Sequence, residues 1–136
     1  DDVLGPNGLC FSPDESILYV VESRGVPNRK ILAYDVSADG RKISNKRVHI
    51  DAGPGGTPDG MRSDVDGNLW CGWGMGSAEL DGVLVFAPDG AKIGRIALPE
   101  RCANVCFGGS KRNRLFMAAS QSLYALYVNT QGAPGG

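Results

Sequence analysis

Residues 6–14 read PNGLCFSPD, and residues 58–66 read PDGMRSDVD. In both stretches a proline, an asparagine or aspartate, and a glycine come directly before a short apolar strand pattern. A third, weaker copy reads NVCFGG at residues 104–109. The chain therefore contains an internal repeat, and an oxygen-bearing side chain occupies the same position in its first two copies.

The spacing of the repeat predicts the fold. Gly8, Gly60 and Asn104 begin the three copies, and they are 52 and 44 residues apart. This is the spacing of four-stranded propeller blades and is too long for hairpins alone. Because propeller blades are arranged radially about a channel, equivalent positions face a common centre. We therefore expect Asn7 and Asp59 to converge there.

The pattern predicts an all-β chain, since no segment sustains an apolar period of 3.6 residues and 20 glycines and 8 prolines separate short apolar runs. We expect blade 1 at about 7–52, blade 2 at about 59–99 and an incomplete blade 3 at about 104–130. The predicted strands of blade 1 lie near residues 8–11, 17–22, 30–35 and 47–50, and those of blade 2 near residues 61–64, 68–72, 82–86 and 93–97. Blade 3 is predicted to have one strand that begins at residue 105 and two more at residues 115–118 and 122–128. A fourth strand is missing from blade 3.

Composition limits the function classes. The 136 residues, 42% of them hydrophobic, suffice for one core and no second domain. The net charge is −1 and the 14 lysines and arginines are scattered, which argues against nucleic acid or an anionic membrane as a partner. No apolar run approaches 18 residues and no signal peptide opens the chain, so we expect a soluble protein without a membrane partner.

Four cysteines leave two interpretations open. Cys102 and Cys106 lack a second pair at zinc spacing, which argues against a structural zinc site. Free cysteine is commonly a small buried residue, and this favours core thiols at all four positions, with Cys10 and Cys71 in apolar strands. A disulfide between Cys102 and Cys106 is the competing interpretation.

The repeat copies resemble a known family. Residues 6–14, residues 58–70 and residues 104–109 are similar to the senescence-marker-protein, gluconolactonase and luciferin-regenerating-enzyme family, and residues 122–132 resemble its bacterial gluconolactonases. The resemblance implies a six-bladed propeller, of which this chain would cover about three blades from the C-terminal half. It also implies a cytoplasmic or periplasmic bacterial enzyme that hydrolyses sugar lactones with one divalent cation in its channel.

The same resemblance assigns roles to two residues. Asn7 and Asp59 would be metal ligands, and Asp59 would also act as the general base. The family's third ligand, a glutamate, and its substrate-binding arginine and asparagine belong to the absent N-terminal half; Glu22 does not match that glutamate. Oxygen ligands favour calcium, with zinc, magnesium and manganese as alternatives. On local pattern alone, both side chains would be ordinary turn residues.

Further candidates are weaker. We expect Trp73, in a glycine-rich stretch that resembles a channel-mouth loop, to lie near substrate, and Arg24 and Asn104 to be further substrate contacts. Ala103 occupies the position equivalent to Asn7 and Asp59, so blade 3 offers no ligand there. His49, the only histidine, is predicted to be a surface residue, which leaves little case for a Ser-His-Asp triad.

Three blades do not close a ring, and this leaves several readings of the chain. The missing half would come from the rest of a longer chain, from a second polypeptide or from a second copy; we favour a fragment of a longer lactonase. A non-catalytic propeller module that binds a sugar or a protein partner is the alternative function, as is an inactive lactonase fragment, because a fold does not dictate a function.

Overall fold

The computed structural model describes residues 2–134, and every regular element in that range is a β-strand. The strands are β1 Pro6–Phe11, β2 Ile17–Glu22, β3 Lys30–Val36, β4 Ile43–Asp51, β5 Met61–Ser63, β6 Leu69–Trp73, β7 Gly82–Phe86, β8 Lys92–Ala97, β9 Cys102–Gly108, β10 Arg114–Ala119 and β11 Leu123–Tyr127. The all-β prediction is confirmed. Residues 2–134 hold no helix of the length and apolar character that a membrane crossing requires.

The strands form three antiparallel sheets, each with its strands in chain order. Blade 1 consists of β1 to β4, blade 2 of β5 to β8, and blade 3 of β9 to β11. The innermost strands β1, β5 and β9 contact one another in sequence from blade to blade. The sheets thus have the meander topology and the side-by-side inner edges of propeller blades.

Blade 3 has three strands in the described part of the chain, and the segment after β11 turns to blade 2 instead of adding a fourth. Val65 N donates to the carbonyl of Gln131 at 2.9 Å, and Ala133 N donates to the carbonyl of Ser63 at 3.0 Å. Ala133 is only 1% exposed. The tail therefore fastens blade 3 to the inner part of blade 2. The last two residues of the predicted glycine-rich end lie outside the described residues.

The core lies between the sheets. Blades 1 and 2 enclose one cluster of buried side chains: Cys10, Tyr19, Val21, Ile31, Ala33, Ile50, Met61, Leu69, Cys71, Trp73 and Phe86. Blades 2 and 3 enclose a second: Val83, Cys102, Val105, Phe107, Leu115 and Met117. Successive side chains of a strand alternate between faces, so Cys71 faces blade 1 whereas Trp70 packs on the blade 3 side. Each fully buried large side chain contributes about 1.5–3 kcal/mol.

All four cysteines are free, so the alternative of a Cys102–Cys106 disulfide is wrong for this structure. Cys10, Cys71 and Cys102 are buried, as the core-thiol interpretation predicts. Cys106 is exposed because its strand presents it to the outer face of blade 3, opposite the face that packs on blade 2.

Candidate metal and active site

Each inner strand carries one extra residue at the position that the repeat singles out. In blade 1, Pro6 pairs with Glu22 and Leu9 pairs with Val20, so Asn7 and the following glycine share a single opposing residue. Such a bulge bends the strand and re-aims a side chain, and bulges are frequent next to functional sites.

Blades 2 and 3 show the same irregularity. Asp59 N donates to the carbonyl of Gly72 at 3.0 Å, and Gly72 N donates to the carbonyl of Gly60 at 2.9 Å, so one residue opposes two. In blade 3 the pairing shifts between Asn104 and Cys102, which leaves Ala103 as the extra residue. The registers thus place residues 7, 59 and 103 at equivalent positions, as the sequence repeat predicts.

The bulges of neighbouring blades lie directly against each other. An added Cβ at Gly8 would lie 2.1 Å from the carbonyl oxygen of Asp59. An added Cβ at Gly60 would lie 2.2 Å from Oδ1 of Asn104, and Gly60 N donates to the carbonyl of Ala103 at 2.8 Å. These two glycines are required because no side chain fits between the inner strands, and their absence of a Cβ brings the three positions together.

The side chains at the two oxygen-bearing positions are accessible. Asn7 is exposed and forms no side-chain hydrogen bond with residues 2–134. The Asp59 side chain is 26% exposed, and its Oδ2 lies 3.3 Å from the guanidinium of Arg101. Within the described chain, Oδ1 of Asp59 has no hydrogen-bond donor, so it is available to a ligand.

The donor set fits a hard cation in part. An amide oxygen and a carboxylate oxygen are ligands that calcium accepts, and calcium needs six to eight oxygens. Residues 2–134 contain no group of three or more histidine, cysteine, aspartate or glutamate side chains that could hold a metal. Asn7 and Asp59 therefore supply part of a coordination shell and no more.

The thiol of Cys102, whose pKa the charge of Asp59 affects, does not favour a soft metal at this site. Burial raises the pKa of the Cys102 thiol to about 11, and the negative charge of Asp59 adds to the increase. The thiol stays protonated at neutral pH and its Sγ lies 3.4 Å from the carbonyl oxygen of Asn104. A protonated thiol is a poor metal ligand, which leaves oxygen as the donor at this edge of the inner strands.

The structure separates the three predicted substrate contacts. Asn104 is exposed beside Gly60, and its Oδ1 accepts a hydrogen bond from Val105 N at 2.9 Å. Arg24 is exposed, and its stem lies over Gly5, two residues from Asn7. Both stay predictions, and both lie close to the bulges.

Trp73 lies elsewhere. It ends β6 and is 2% exposed in the core between blades 1 and 2, with its ring centroid 5.7 Å from that of Phe86. Its indole Nε1 has no partner within residues 2–134. The contact with substrate remains untested, but a buried ring does not favour it, and the glycine-rich loop begins only at Gly74.

His49 is half-buried, so the prediction of a surface residue is wrong. Its ring packs 4.9 Å from that of Tyr19, and burial lowers the pKa of its imidazole. The residue lies on β4, the outermost strand of blade 1, whereas Asp59 lies at the inner edge of blade 2. His49 and Asp59 therefore lie at opposite edges of their respective blades.

The buried carboxylates outside the bulges have structural partners. Both oxygens of Asp64 accept hydrogen bonds from the turn that follows it and from the indole of Trp70, at 2.9–3.2 Å. Glu22 accepts from Leu4 N at 3.1 Å, and Asp81 accepts from Gly76 N at 2.9 Å. These three carboxylates accept hydrogen bonds that stabilise the fold. Asp59, at the inner edge of blade 2, is the carboxylate that remains as a candidate ligand.

Sequence reasoning missed Arg101. The residue precedes β9 and follows a proline-glutamate pair, and no motif marks it. The available signal was its position two residues before the equivalent position in the third copy, where Ala103 supplies no polar group.

Comparison with known proteins identifies the family of this chain. Residues 1–121 match the SMP-30/Gluconolactonase/LRE-like region. The chain belongs to this family. A gluconolactonase of Zymomonas mobilis is 36% identical to it over 136 residues, which cover 93% of this chain and 36% of the relative.

Solved structures of the SMP-30/gluconolactonase family share the fold. A gluconolactonase from Xanthomonas campestris superposes with a TM-score of 0.77 at 34% identity, over 93% of this chain and 39% of its own. Regucalcin from Agrobacterium tumefaciens, a calcium-binding protein, superposes with a TM-score of 0.77 at 23% identity, over 94% of this chain and 46% of its own. The chain thus forms about three blades of a six-bladed propeller and spans less than half the length of these relatives.

Proposed function

We propose that this chain carries part of the active site of a calcium-dependent sugar-lactone hydrolase. The observation that supports the proposal most directly is the pair of adjoining bulges that present Asn7 and Asp59 at equivalent positions of blades 1 and 2. The gluconolactonase relatives favour a sugar lactone as the substrate, and the calcium-binding neighbour favours calcium as the ion.

Asn7 would hold the cation with its amide oxygen and Asp59 with its free Oδ1. When bound, the ion supplies Lewis-acid polarisation of the lactone carbonyl and favours the oxyanion that develops as water adds. The remaining ligands would come from residues outside this chain, through the rest of a longer polypeptide, a second polypeptide or a second copy.

Asp59 would move the proton. Its carboxylate accepts a proton from water as the water oxygen forms a bond to the carbonyl carbon. The bond between that carbon and the ring oxygen then breaks, and the proton passes to the ring oxygen. The product is an open-chain hydroxy acid, and water is the only co-reactant consumed.

Hydrolysis of glucono-1,5-lactone tests the proposal, followed as acid release at constant pH with spontaneous hydrolysis subtracted. We expect the complete protein, in which the segments that supply the remaining ligands are present, to require Ca²⁺ and to lose activity in a chelator. Asp59→Asn should lower kcat/KM by about 10²- to 10⁴-fold, the usual contribution of a general base. Asn7→Ala should raise the Ca²⁺ concentration needed for half-maximal activity.

Asp66→Asn is the matched control, because Asp66 is exposed in the turn after β5 and its side chain accepts no hydrogen bond within residues 2–134. We expect it to behave as the parent protein. An Asp59→Asn protein that is folded and fully active would contradict the proposal, as would a parent rate that no divalent cation affects.

A further inference from the structure

Arg101 joins the inner edges of blades 2 and 3 at the candidate site. Its guanidinium Nη2 lies 3.3 Å from Oδ2 of Asp59, which is 42 residues away in sequence. The two side chains are 40% and 26% exposed. The side chain of Arg101 forms no other hydrogen bond within residues 2–134, so most of its five N–H donors are free for a ligand.

The inner edge of blade 3 thus offers a positive charge where blades 1 and 2 offer oxygens. Ala103, at the equivalent position of blade 3, has no polar side-chain atom. The side chain of Arg101, two residues before Ala103, instead contacts the carboxylate of Asp59 on blade 2. Across three blades the bulge positions carry an amide, a carboxylate and, through Arg101, a guanidinium.

The ion pair between Arg101 and Asp59 contributes little to the stability of the fold. Both side chains stay partly accessible, and ion pairs that solvent reaches contribute little to folding, because solvent screens them and both side chains lose freedom. A single contact at 3.3 Å also uses only a small part of the fork that lets arginine bind a carboxylate with two parallel hydrogen bonds. The geometry leaves the guanidinium free to exchange one carboxylate for another.

We propose that Arg101 competes with the divalent cation for Asp59 and, once the cation engages Asp59, binds the carboxylate of the hydroxy-acid product. The inference rests on the proposed function. A guanidinium beside the ion opposes cation binding by charge repulsion and by its hold on Oδ2. The same charge next to the reacting carbon attracts the carboxylate that hydrolysis creates.

The first test measures the affinity for Ca²⁺ alone, by following amide NMR signals of the bulge residues during a titration. Arg101→Met removes the charge and keeps the length of the side chain, and we expect it to bind Ca²⁺ about threefold to tenfold more tightly. Arg47→Met is the matched control, because Arg47 forms an exposed ion pair with Asp35 at 2.7 Å on the outer strands of blade 1. It removes the same net charge and should leave the affinity within about twofold.

The second test measures gluconate binding at saturating Ca²⁺. We expect Arg101→Met to weaken gluconate binding by about tenfold or more. Arg101→Lys keeps the charge but loses the bidentate geometry of the guanidinium, and its gluconate affinity should lie between those of the parent protein and Arg101→Met. Unchanged affinities for both Ca²⁺ and gluconate in a folded Arg101→Met protein would overturn this inference and leave the proposed function standing. Both tests use the complete protein, in which the remaining ligands are present, and its failure to bind Ca²⁺ would overturn both the inference and the proposed function.

Discussion

At the scale of single residues, the close contact between the bulges of blades 1 and 2 depends on Gly8. An alanine there would place its Cβ 2.1 Å from the carbonyl oxygen of Asp59, so one of the two inner strands must shift. We expect Gly8→Ala to destabilise the fold by about 1–3 kcal/mol, the usual cost of overpacking, and to weaken cation binding because Asp59 is displaced.

Gly94→Ala is the control for that substitution. Its Cβ would lie 3.6 Å from the side chain of Val85, which is ordinary van der Waals contact. We expect no more than about 0.5 kcal/mol of change in its free energy of unfolding, measured with urea. Equal stabilities and equal Ca²⁺ affinities for the two variants would show that the contact at Gly8 is unimportant.

His49 gives the fold a pH dependence of known sign. Burial lowers the pKa of its imidazole below the ordinary value of 6.5, so the unfolded chain binds a proton more readily than the folded one. The contribution of the neutral, half-buried imidazole to the free energy of unfolding is fully present above pH 6.5. It is lost as the pH falls from 6.5 through the folded-state pKa. We expect urea midpoints to drop between pH 7.5 and pH 5.5.

The variant His49→Gln isolates the effect, because the chain has no other histidine. It should show a smaller drop over the same range. An identical pH profile for the variant and the parent protein would contradict the assignment to His49.

The repeat predicted the equivalent positions of Asn7 and Asp59, because a short motif and a bulge are both encoded locally. It did not predict the partner of Asp59. The contact from Arg101 depends on how a long, flexible side chain crosses from one blade to the next, and no local pattern records that. The exposure of Cys106 was missed for a related reason, since it depends on which face of blade 3 a neighbour covers.

At the scale of the elements, Asp64 stabilises the turn between β5 and β6. β5 ends at Ser63, one residue earlier than predicted, and the side chain of Asp64 accepts hydrogen bonds from the backbone of the turn that follows. It also holds the indole of Trp70 at 2.9 Å. A buried carboxylate thus stabilises the turn, while the backbone N of Asp64 donates to the carbonyl of Asn68 at 3.0 Å.

Replacing Asp64 should therefore be costly. Asp64→Ala leaves several partly buried donors without their partner and a cavity in place of a buried carboxylate, and we expect a loss of about 2–4 kcal/mol in the free energy of unfolding, measured with urea. Asp66→Ala, in the same turn but exposed, should cost at most about 0.5 kcal/mol. Similar losses for the two variants would contradict the structural role of the Asp64 carboxylate.

Most strands were predicted to within one or two residues, and the largest error has a physical cause. β4 begins at Ile43, four residues before the predicted start at Arg47. Residues 43–48 are exposed, because β4 is the outermost strand of blade 1. A strand with little burial shows no alternation of polar and apolar residues, so the pattern that marks inner strands is absent.

At the scale of the whole molecule, the two outer faces of the described chain present apolar side chains. On blade 1, Leu9 is 55% and Ile43 53% exposed beside the cluster of Val20, Leu32 and Tyr34. On blade 3, Leu123 and Tyr127 are each 72% exposed. Faces of this kind favour association, because burying them removes apolar surface from water.

We expect the purified 136-residue chain to associate as its concentration rises, by light scattering after size exclusion. Leu9→Glu combined with Leu123→Lys should reduce the mean mass toward that of one chain. Val65→Lys, at a turn position that is 45% exposed, is the control and should not. A monomeric parent chain at all concentrations would contradict this prediction.

The overall architecture was accessible from the sequence because repeat spacing reflects blade size. The crossing of the tail to blade 2 was not, since it depends on backbone hydrogen bonds between residues 63–65 and 131–133 that leave no side-chain pattern. The donors that complete the coordination shell were not accessible either, because a radial site collects its ligands from all the blades around the channel.

The central claim is that Asn7 and Asp59 together hold a divalent cation at the inner edges of blades 1 and 2. Anomalous diffraction from crystals soaked in Mn²⁺, an ion that accepts oxygen ligands, tests it most directly. We predict one strong peak within about 2.6 Å of a side-chain oxygen of both residues. Peaks only elsewhere, with the Asp59 carboxylate still bound to Arg101, would contradict the claim.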